Sequence, residues 1–202
     1  MPTKNRDLHG NTPDKSEVAL ILIDVINDLN FPEAERLLQY AMPMAKRLKV
    51  LKRRAKAAGV PAIYVNDNFG RWRSDFKHLV DHCLRTDSRG TELVDLLKPD
   101  EDDYFVLKPK HSAFFSTSLD LLLKYLEVKS LILTGLASDI CVLFTANDAY
   151  MRDYHLFVPD DCVAANTAEA NEYALRQIGD ILKADTTPSV QLKFSEITAL
   201  SK

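Results

Sequence analysis

The chain has 202 residues, of which 46% are hydrophobic and 27% are charged, a composition typical of a soluble globular protein with a sizeable core. Its formal net charge is -3, and basic residues are scattered among acidic ones, so we expect no nucleic-acid partner. The apolar runs are too short to span a membrane, and the polar N-terminus "MPTKNRDLHGNTPDKSE" has no signal-peptide core. These features predict a cytoplasmic protein with no membrane contact.

Short apolar runs rich in β-branched residues alternate along the chain with segments of helical periodicity. The runs predict buried strands at residues 18–24, 61–67, 104–108, 130–135 and 155–161. The periodic segments predict helices at residues 34–59, 118–126, 140–153 and 168–184. Because strand alternates with helix, we expect βαβ units and an α/β fold in which helices cover both faces of a mainly parallel sheet.

Two regions depart from this alternation. Residues 1–17 predict a poorly ordered N-terminal tail, followed by a single domain at residues 18–202. Residues 69–103 form the longest and least regular connection, in which we expect one short helix. Long connections over a crevice often carry substrate-facing residues.

Polar residues follow several of the predicted strands. Asp24, Asp67, Lys108 and the loop that contains Cys141 all lie at or just after strand ends. Ligands of such folds bind beyond the carboxyl ends of the strands. We therefore expect these residues to line one crevice.

Cys141 is the one cysteine placed where a predicted strand meets a predicted helix, in "TGLASDIC". Three widely spaced cysteines indicate neither a disulfide framework nor a zinc ribbon. The first turn of a helix stabilises a thiolate and accepts an oxyanion, and Ser138 or Asp139 is the expected N-cap. The alternative is that Cys141 is merely a small buried residue at a tight junction.

An acid and an amine end two other predicted strands. Asp24 emerges from an apolar run, and a partly desolvated carboxylate is suited to take a proton from a thiol. Lys108, placed between acid and thiol, would stabilise both charges. The structural alternatives are a loop acid and a solvated lysine. The occurrence of all three groups at strand ends favours catalysis by Asp24, Lys108 and Cys141.

Three motifs resemble those of the isochorismatase-like cysteine hydrolases, a superfamily that includes nicotinamidases and N-carbamoylsarcosine amidohydrolase. "LIDVINDL" resembles the first-strand motif, "KPKHSAF" the K-x-R-x-S-A-F segment, and "TGLASDICVLFTANDA" the T-G-x-x-x-x-x-C-V-x-x-T-A-x-D-A signature. The resemblance covers residues 18–188. It implies a three-layer αβα fold with a doubly wound, mainly parallel sheet of about six strands.

The same resemblance implies roles for individual residues. Cys141 becomes the nucleophile, Asp24 its base and Lys108 their cationic partner. The implied oxyanion hole consists of the N–H groups of Ala137 and Cys141, beside a cis peptide bond between Leu136 and Ala137. The sulfur would attack a carbonyl carbon, an amine would leave, and water would hydrolyse the thioester.

The chain departs from the metal site of nicotinamidases. Those enzymes resemble one another in an Asp-x-His after the second strand, whereas this chain reads "NDNFGRW", with Asn68 at the histidine position. A lone Asp67 beside amides is a poor ligand set for zinc or iron, so we expect no metal and no cofactor. His78 and His82 would share a helix face, but we interpret them as partly exposed side chains because no third ligand is evident nearby.

Three residues are candidates for substrate contact: Asn68, Trp72 and His111. His111, next to Ser112 in "KPKHSAF", is expected to shape the site entrance. Trp72 is equally suited to an aromatic pocket wall and to a subunit interface.

The leading hypothesis is a metal-independent cysteine hydrolase that cleaves a C–N bond of a small amide, carbamoyl or ureido compound. The first alternative is hydrolysis of an isochorismate-type vinyl ether, and the second is a non-catalytic binding module on the same fold. The resemblance also implies a homo-oligomer, either a dimer or a tetramer.

Overall fold

The computed structural model describes residues 15–67, 75–84 and 88–200. In these residues six strands form one sheet in the order β3-β2-β1-β4-β5, and β6 pairs with β4 beyond the end of β5. Every strand pairing is parallel. The strands are β1 (Val18–Ile23), β2 (Ala62–Asp67), β3 (Tyr104–Lys108), β4 (Ser130–Leu136), β5 (His155–Phe157) and β6 (Val163–Ala164).

Helices cover both faces of the sheet. The helices are α1 (Ala34–Ala57), α2 (Phe76–Leu84), α3 (Thr91–Leu96), α4 (Leu119–Leu126), α5 (Leu143–Tyr150), α6 (Ala168–Asp180) and α7 (Phe194–Leu200). A π-helical turn, Ser138–Val142, leads directly into α5. In the described part of the chain, no helix is both long enough and apolar enough to cross a membrane.

The burial of β1 on both faces explains why its sequence is a continuous apolar run. All six of its residues, "VALILI", are buried. Val18, Leu20 and Leu22 pack in a core with α1, α2, α3 and α7, while Ala19 and Ile21 pack in a second core with α4, α5 and α6. A strand buried on both faces has no polar side to alternate with. The three-layer αβα fold with a doubly wound parallel sheet is thus confirmed.

Several predicted boundaries were wrong. The strand predicted at residues 155–161 ends at Phe157, because a 3-10 turn, Asp160–Cys162, interrupts it before β6 begins. The described part of the connection at residues 69–103 contains α2 and α3, whereas one helix was expected. Gly90, which immediately precedes α3, packs so closely against the β1–α1 loop that an added Cβ would lie 1.8 Å from the Asn27 carbonyl oxygen. Helix α7 was not predicted.

Residues 1–14 of the predicted N-terminal tail lie outside the described residues. The single domain at residues 18–202 stays a prediction.

Candidate active site

The close approach of β1 and β4 creates the site. Ile23 and Gly135 are paired in register, and Gly135 has a φ of 109°. A Cβ at Gly135 would lie 2.1 Å from the Ile23 carbonyl oxygen, so only glycine fits there. Asp24 follows in the left-handed conformation, with a φ of 51°. The end of β1 is therefore held directly beside the turn that follows β4.

Lys108 lies at the centre of the predicted residues. Its side chain is fully buried, and its ammonium lies 2.8 Å from Asp24 Oδ2. The same Nζ donates to Cys141 Sγ at 3.4 Å and to the Lys110 carbonyl oxygen at 3.2 Å. Asp67 Oδ2 lies 3.9 Å away. The structure thus brings together Asp24, Lys108 and Cys141, as the strand-end argument predicted.

Asp24 is in contact with the other two strand ends as well. Its Oδ1 accepts a hydrogen bond of 2.7 Å from the main-chain N–H of Asp67. The Cys141 thiol lowers the pKa of this carboxyl group, and the charge of Asp24 in turn raises the pKa of the thiol. One carboxyl group therefore interacts with the amine, the thiol and the end of β2.

Cys141 lies in the π-helical turn, where two predictions were wrong. The turn begins one residue earlier than expected, so Ala137 occupies the N-cap position and no side chain caps the turn. Ser138 lies inside the turn, and its buried hydroxyl has no hydrogen-bond partner among the described residues. The peptide bond between Leu136 and Ala137 is trans, like all those described, and Ala137 has ordinary extended dihedral angles, with φ -83° and ψ 144°.

The turn is a π-helix because its hydrogen bonds span five residues. The Val142 N–H donates to the Ala137 carbonyl oxygen at 3.1 Å. Single π-helical turns occur frequently at functional sites. Ala137 and Cys141 lie four residues apart in this segment, and an oxyanion hole formed by their N–H groups stays a prediction.

Burial governs the protonation of the three groups. It raises the pKa of the Asp24 carboxyl group, although Lys108, the Cys141 thiol and the Asp67 N–H all act in the opposite direction. Burial, and then the charge of Asp24, raises the pKa of Cys141 to about 12. Burial lowers the pKa of Lys108, but Asp24 and Cys141 outweigh it, and the net pKa is raised. The resting site therefore holds a thiol, not the thiolate expected from a helix terminus.

The structure describes one of the three candidate substrate-binding residues. His111 is exposed, with Nδ1 3.9 Å from Cys141 Sγ and its ring centroid 5.5 Å from that of Phe144. It thus borders the sulfur, and its role at the site entrance stays a prediction. Asn68 and Trp72 lie outside the described residues.

His78 and His82, the histidines considered as a possible metal pair, both lie beside carboxylates. His78 Nδ1 lies 2.9 Å from Asp75, and His82 Nε2 lies 3.0 Å from Asp28, so each histidine has a carboxylate partner. Where the structure describes the chain, the only group of three candidate ligands consists of Asp100, Asp102 and Asp103. Each of these carboxylates already forms a salt bridge with Lys52 or Lys56.

Thr145 is a contact that the sequence reasoning missed. It is fully buried, its hydroxyl donates to the Cys141 carbonyl oxygen at 2.7 Å, and it accepts a bond of 3.0 Å from the Ala113 N–H. It thereby joins the turn to the loop after β3. The available signal was its place in "TANDA", four residues after Cys141.

The fold and the polar cluster at the strand ends are those of a hydrolase built on a parallel αβα sheet. The chain belongs to the isochorismatase family, because the isochorismatase domain matches residues 18–186. It is 41% identical over 178 residues to the isochorismatase family protein YaaI of Bacillus subtilis (strain 168), covering 88% of this chain and 97% of YaaI.

Two further relatives are amide-cleaving enzymes by name. The ureidoacrylate amidohydrolase RutB of Methylorubrum extorquens is 38% identical over 87 residues, which is 43% of this chain and 35% of RutB. The structure of N-carbamoylsarcosine amidase from Thermoplasma acidophilum superposes with a TM-score of 0.68 at 26% identity, covering 88% of this chain and 99% of the amidase. These similarities place the chain among hydrolases with amidase relatives.

Proposed function

We propose that the protein is a metal-independent cysteine hydrolase that cleaves a C–N bond of a small amide, carbamoyl or ureido compound. The observation that carries the proposal is the position of the Lys108 ammonium, within 2.8 Å of Asp24 and 3.4 Å of Cys141. An acid, a cation and a thiol in contact supply the base, the charge stabilisation and the nucleophile for acyl transfer.

The mechanism begins with a proton transfer that accompanies sulfur attack. Asp24 takes the thiol proton as Cys141 Sγ bonds to the substrate carbonyl carbon, and the carbonyl electron pair moves to oxygen. Lys108 stabilises the negative charge that develops on sulfur. The N–H groups of Ala137 and Cys141 are the proposed donors to the oxyanion.

Collapse of the tetrahedral intermediate breaks the C–N bond. The carbonyl re-forms, Asp24 returns its proton to the leaving nitrogen, and ammonia or an amine departs, leaving a thioester on Cys141. Water then attacks the thioester and loses a proton to Asp24. The C–S bond breaks, the carboxylic acid leaves, and the sulfur regains its proton from Asp24.

The substrate class rests on the relatives and on the site entrance. The amidase and the ureidoacrylate amidohydrolase named above both act on carbonyl groups bonded to nitrogen, according to their names. His111 lies next to the sulfur, and its ring contacts that of Phe144 at an interplanar angle of 54°, so either ring offers an aromatic face to a small amide. Asn68 and Trp72 remain proposed substrate contacts.

A panel assay tests the proposal. Release of ammonia or amine is measured with small amides, carbamoyl compounds and ureido acids, using the wild-type chain and the Cys141→Ala variant. Cys162→Ala is the matched control, because Cys162 is buried in the turn before β6 and touches none of the three groups. We expect activity in the wild type and the control only. No release from any compound, or release that survives Cys141→Ala, contradicts the proposal.

Vinyl ether hydrolysis is the second candidate, and one observation favours it. Burial raises the pKa of Asp24, and a protonated carboxyl group can donate its proton to a carbon atom of a vinyl ether. The two reactions differ in what they need. The vinyl ether reaction requires Asp24 and tolerates Cys141→Ala, whereas amide cleavage requires both residues.

We also propose a cytoplasmic homo-oligomer, a dimer or tetramer. Exposed apolar side chains along the helix after Cys141 support self-association, with Phe144 53%, Tyr150 46% and Met151 71% exposed. Light scattering during gel filtration measures the mass of the assembly. A monomer at micromolar concentration contradicts the oligomer.

A further inference from the structure

The loop between β3 and α4 is attached to α5 by two side-chain hydrogen bonds. The Ser112 hydroxyl donates to Asp148 Oδ2, and the Ala113 N–H donates to Thr145 Oγ1 at 3.0 Å. Thr145 and Asp148 follow Cys141 by four and seven residues, so they lie on one face of the helical segment that carries the sulfur. The loop and the nucleophile are thus parts of one hydrogen-bonded unit.

This loop also supplies a partner for the buried ammonium. The Lys110 carbonyl oxygen accepts from Lys108 Nζ at 3.2 Å, and the next residue, His111, lies 3.9 Å from Cys141 Sγ. A lysine side chain has four flexible torsions, so the position of its ammonium follows from its acceptors. Displacement of the Lys110 carbonyl would remove one acceptor of the ammonium and change its position relative to the other two, on Asp24 and Cys141.

Asp148 is itself held firmly in place. Arg152 Nη1 donates to the Asp148 carbonyl oxygen at 2.8 Å and to its Oδ1 at 3.1 Å. The Arg152 guanidinium packs over the Phe114 ring, 4.7 Å from its centroid. Ser112 is 5% exposed, so its hydroxyl has little access to water as a substitute partner. The bond between the Ser112 and Asp148 side chains, called here the Ser112–Asp148 link, therefore attaches Ser112 to α5.

We propose that Ser112 and Asp148 are positioning residues, whose link keeps the Lys110 carbonyl and the Lys108 ammonium in register with the sulfur of Cys141. The inference rests on the proposed cysteine chemistry and assigns to that site two residues that touch none of its reacting atoms. It explains why a serine in "KPKHSAF" and an aspartate in "TANDA" meet across 36 residues of chain.

The test measures the rate of Cys141 alkylation by iodoacetamide at one fixed, mildly alkaline pH, with the full chain and mass-spectrometric readout of each cysteine. The variants that break the link are Ser112→Ala and Asp148→Leu. Because Lys108 lowers the pKa of the thiol, a displaced ammonium should slow alkylation at that pH. We expect about a tenfold slower reaction, which corresponds to a rise of about one unit in the thiol pKa.

Two controls separate positioning from general stability. Asp148→Asn keeps an oxygen that accepts from Ser112, so it should restore the wild-type alkylation rate. Thr117→Val removes another hydroxyl of the same loop, one that donates to the Ala113 carbonyl oxygen within the loop. Both should react within about twofold of the wild type, the scatter found for independent sites. The double variant Ser112→Ala/Asp148→Leu should be no slower than either single variant.

The outcomes distinguish this inference from the proposed function. A folded Ser112→Ala variant that is alkylated at the wild-type rate, or losses that add in the double variant, overturns the positioning role alone. A wild-type Cys141 that reacts no faster than Cys162 overturns the cysteine hydrolase and this inference with it. If Ser112→Ala fails to fold by circular dichroism, Asp148→Leu carries the same test, because the Asp148 side chain is 27% exposed.

Discussion

Lys108 and Asp24 form an ion pair that is almost entirely removed from water. Their charged atoms lie 2.8 Å apart, and their side chains are 0% and 9% exposed. Such a pair is expensive to desolvate, and removing one partner leaves the other charge buried alone. Both partners of the pair are thus needed for the stability of the fold, as well as for the proposed catalysis.

Lys108→Met is expected to destabilise the protein by about 3–5 kcal/mol, the usual result of breaking a buried pair, and to abolish activity. Urea denaturation measures the free energy of unfolding. Lys110→Met is the matched control, because the Lys110 side chain is exposed and only its carbonyl oxygen contacts Lys108. An unchanged free energy of unfolding in Lys108→Met would contradict the energetic importance of the pair.

Asp24→Asn should remove the base, and it should also lower the free energy of unfolding, because the Lys108 ammonium stays buried without its carboxylate partner. Asparagine adopts the left-handed conformation of residue 24 without added strain. We expect turnover to fall by about 10²- to 10⁴-fold, the usual contribution of a general base. Circular dichroism and a thermal melt check the fold, and the exposed Asp95→Asn controls for the substitution itself. Turnover near the wild-type rate would remove Asp24 from the mechanism.

The pH profile of kcat/KM should have its acid limb above the ordinary carboxyl pKa of 3.8, because burial raises the pKa of Asp24. The active form needs an unprotonated Asp24 beside a thiol, so activity is low below the raised pKa and increases as the pH rises through it. The limb reports the Asp24–Cys141 pair jointly, since the two groups are coupled. A midpoint at or below 3.8 would contradict the assignment.

Gly135→Ala should separate β1 from β4 at the site. A φ of 109° and a contact of 2.1 Å with the Ile23 carbonyl oxygen predict a loss of at least about 2 kcal/mol of stability, together with loss of activity. Gly179→Ala in α6 is the control. Its nearest neighbour would be 3.8 Å from the new Cβ, and a helical alanine should stabilise by up to about 1 kcal/mol. Equal melting temperatures in the two variants would refute the close-approach argument.

The approximate fold was predictable because its signals are local. Strands buried on both faces, such as β1, are apolar throughout, and the helices between them have their own period. The carboxyl ends of parallel strands meet at one edge, so the proximity of Asp24, Lys108 and Cys141 followed from their places in the sequence. Boundaries were less predictable: the start of α3, within residues 69–103, depends on Gly90 packing against a distant loop.

The sequence by itself determined the αβα layering and which strand ends carry an acid, an amine and a thiol, since both properties depend on periodicity and chain order. Only the tertiary structure decided that the Cys141 thiol is protonated at rest, because its pKa depends on burial and on the charge of Asp24. It also decided that Ser112 meets Asp148 and Ala113 meets Thr145. Contacts between residues so far apart along the chain depend on how the loop after β3 packs on α5, and no local pattern encodes that packing.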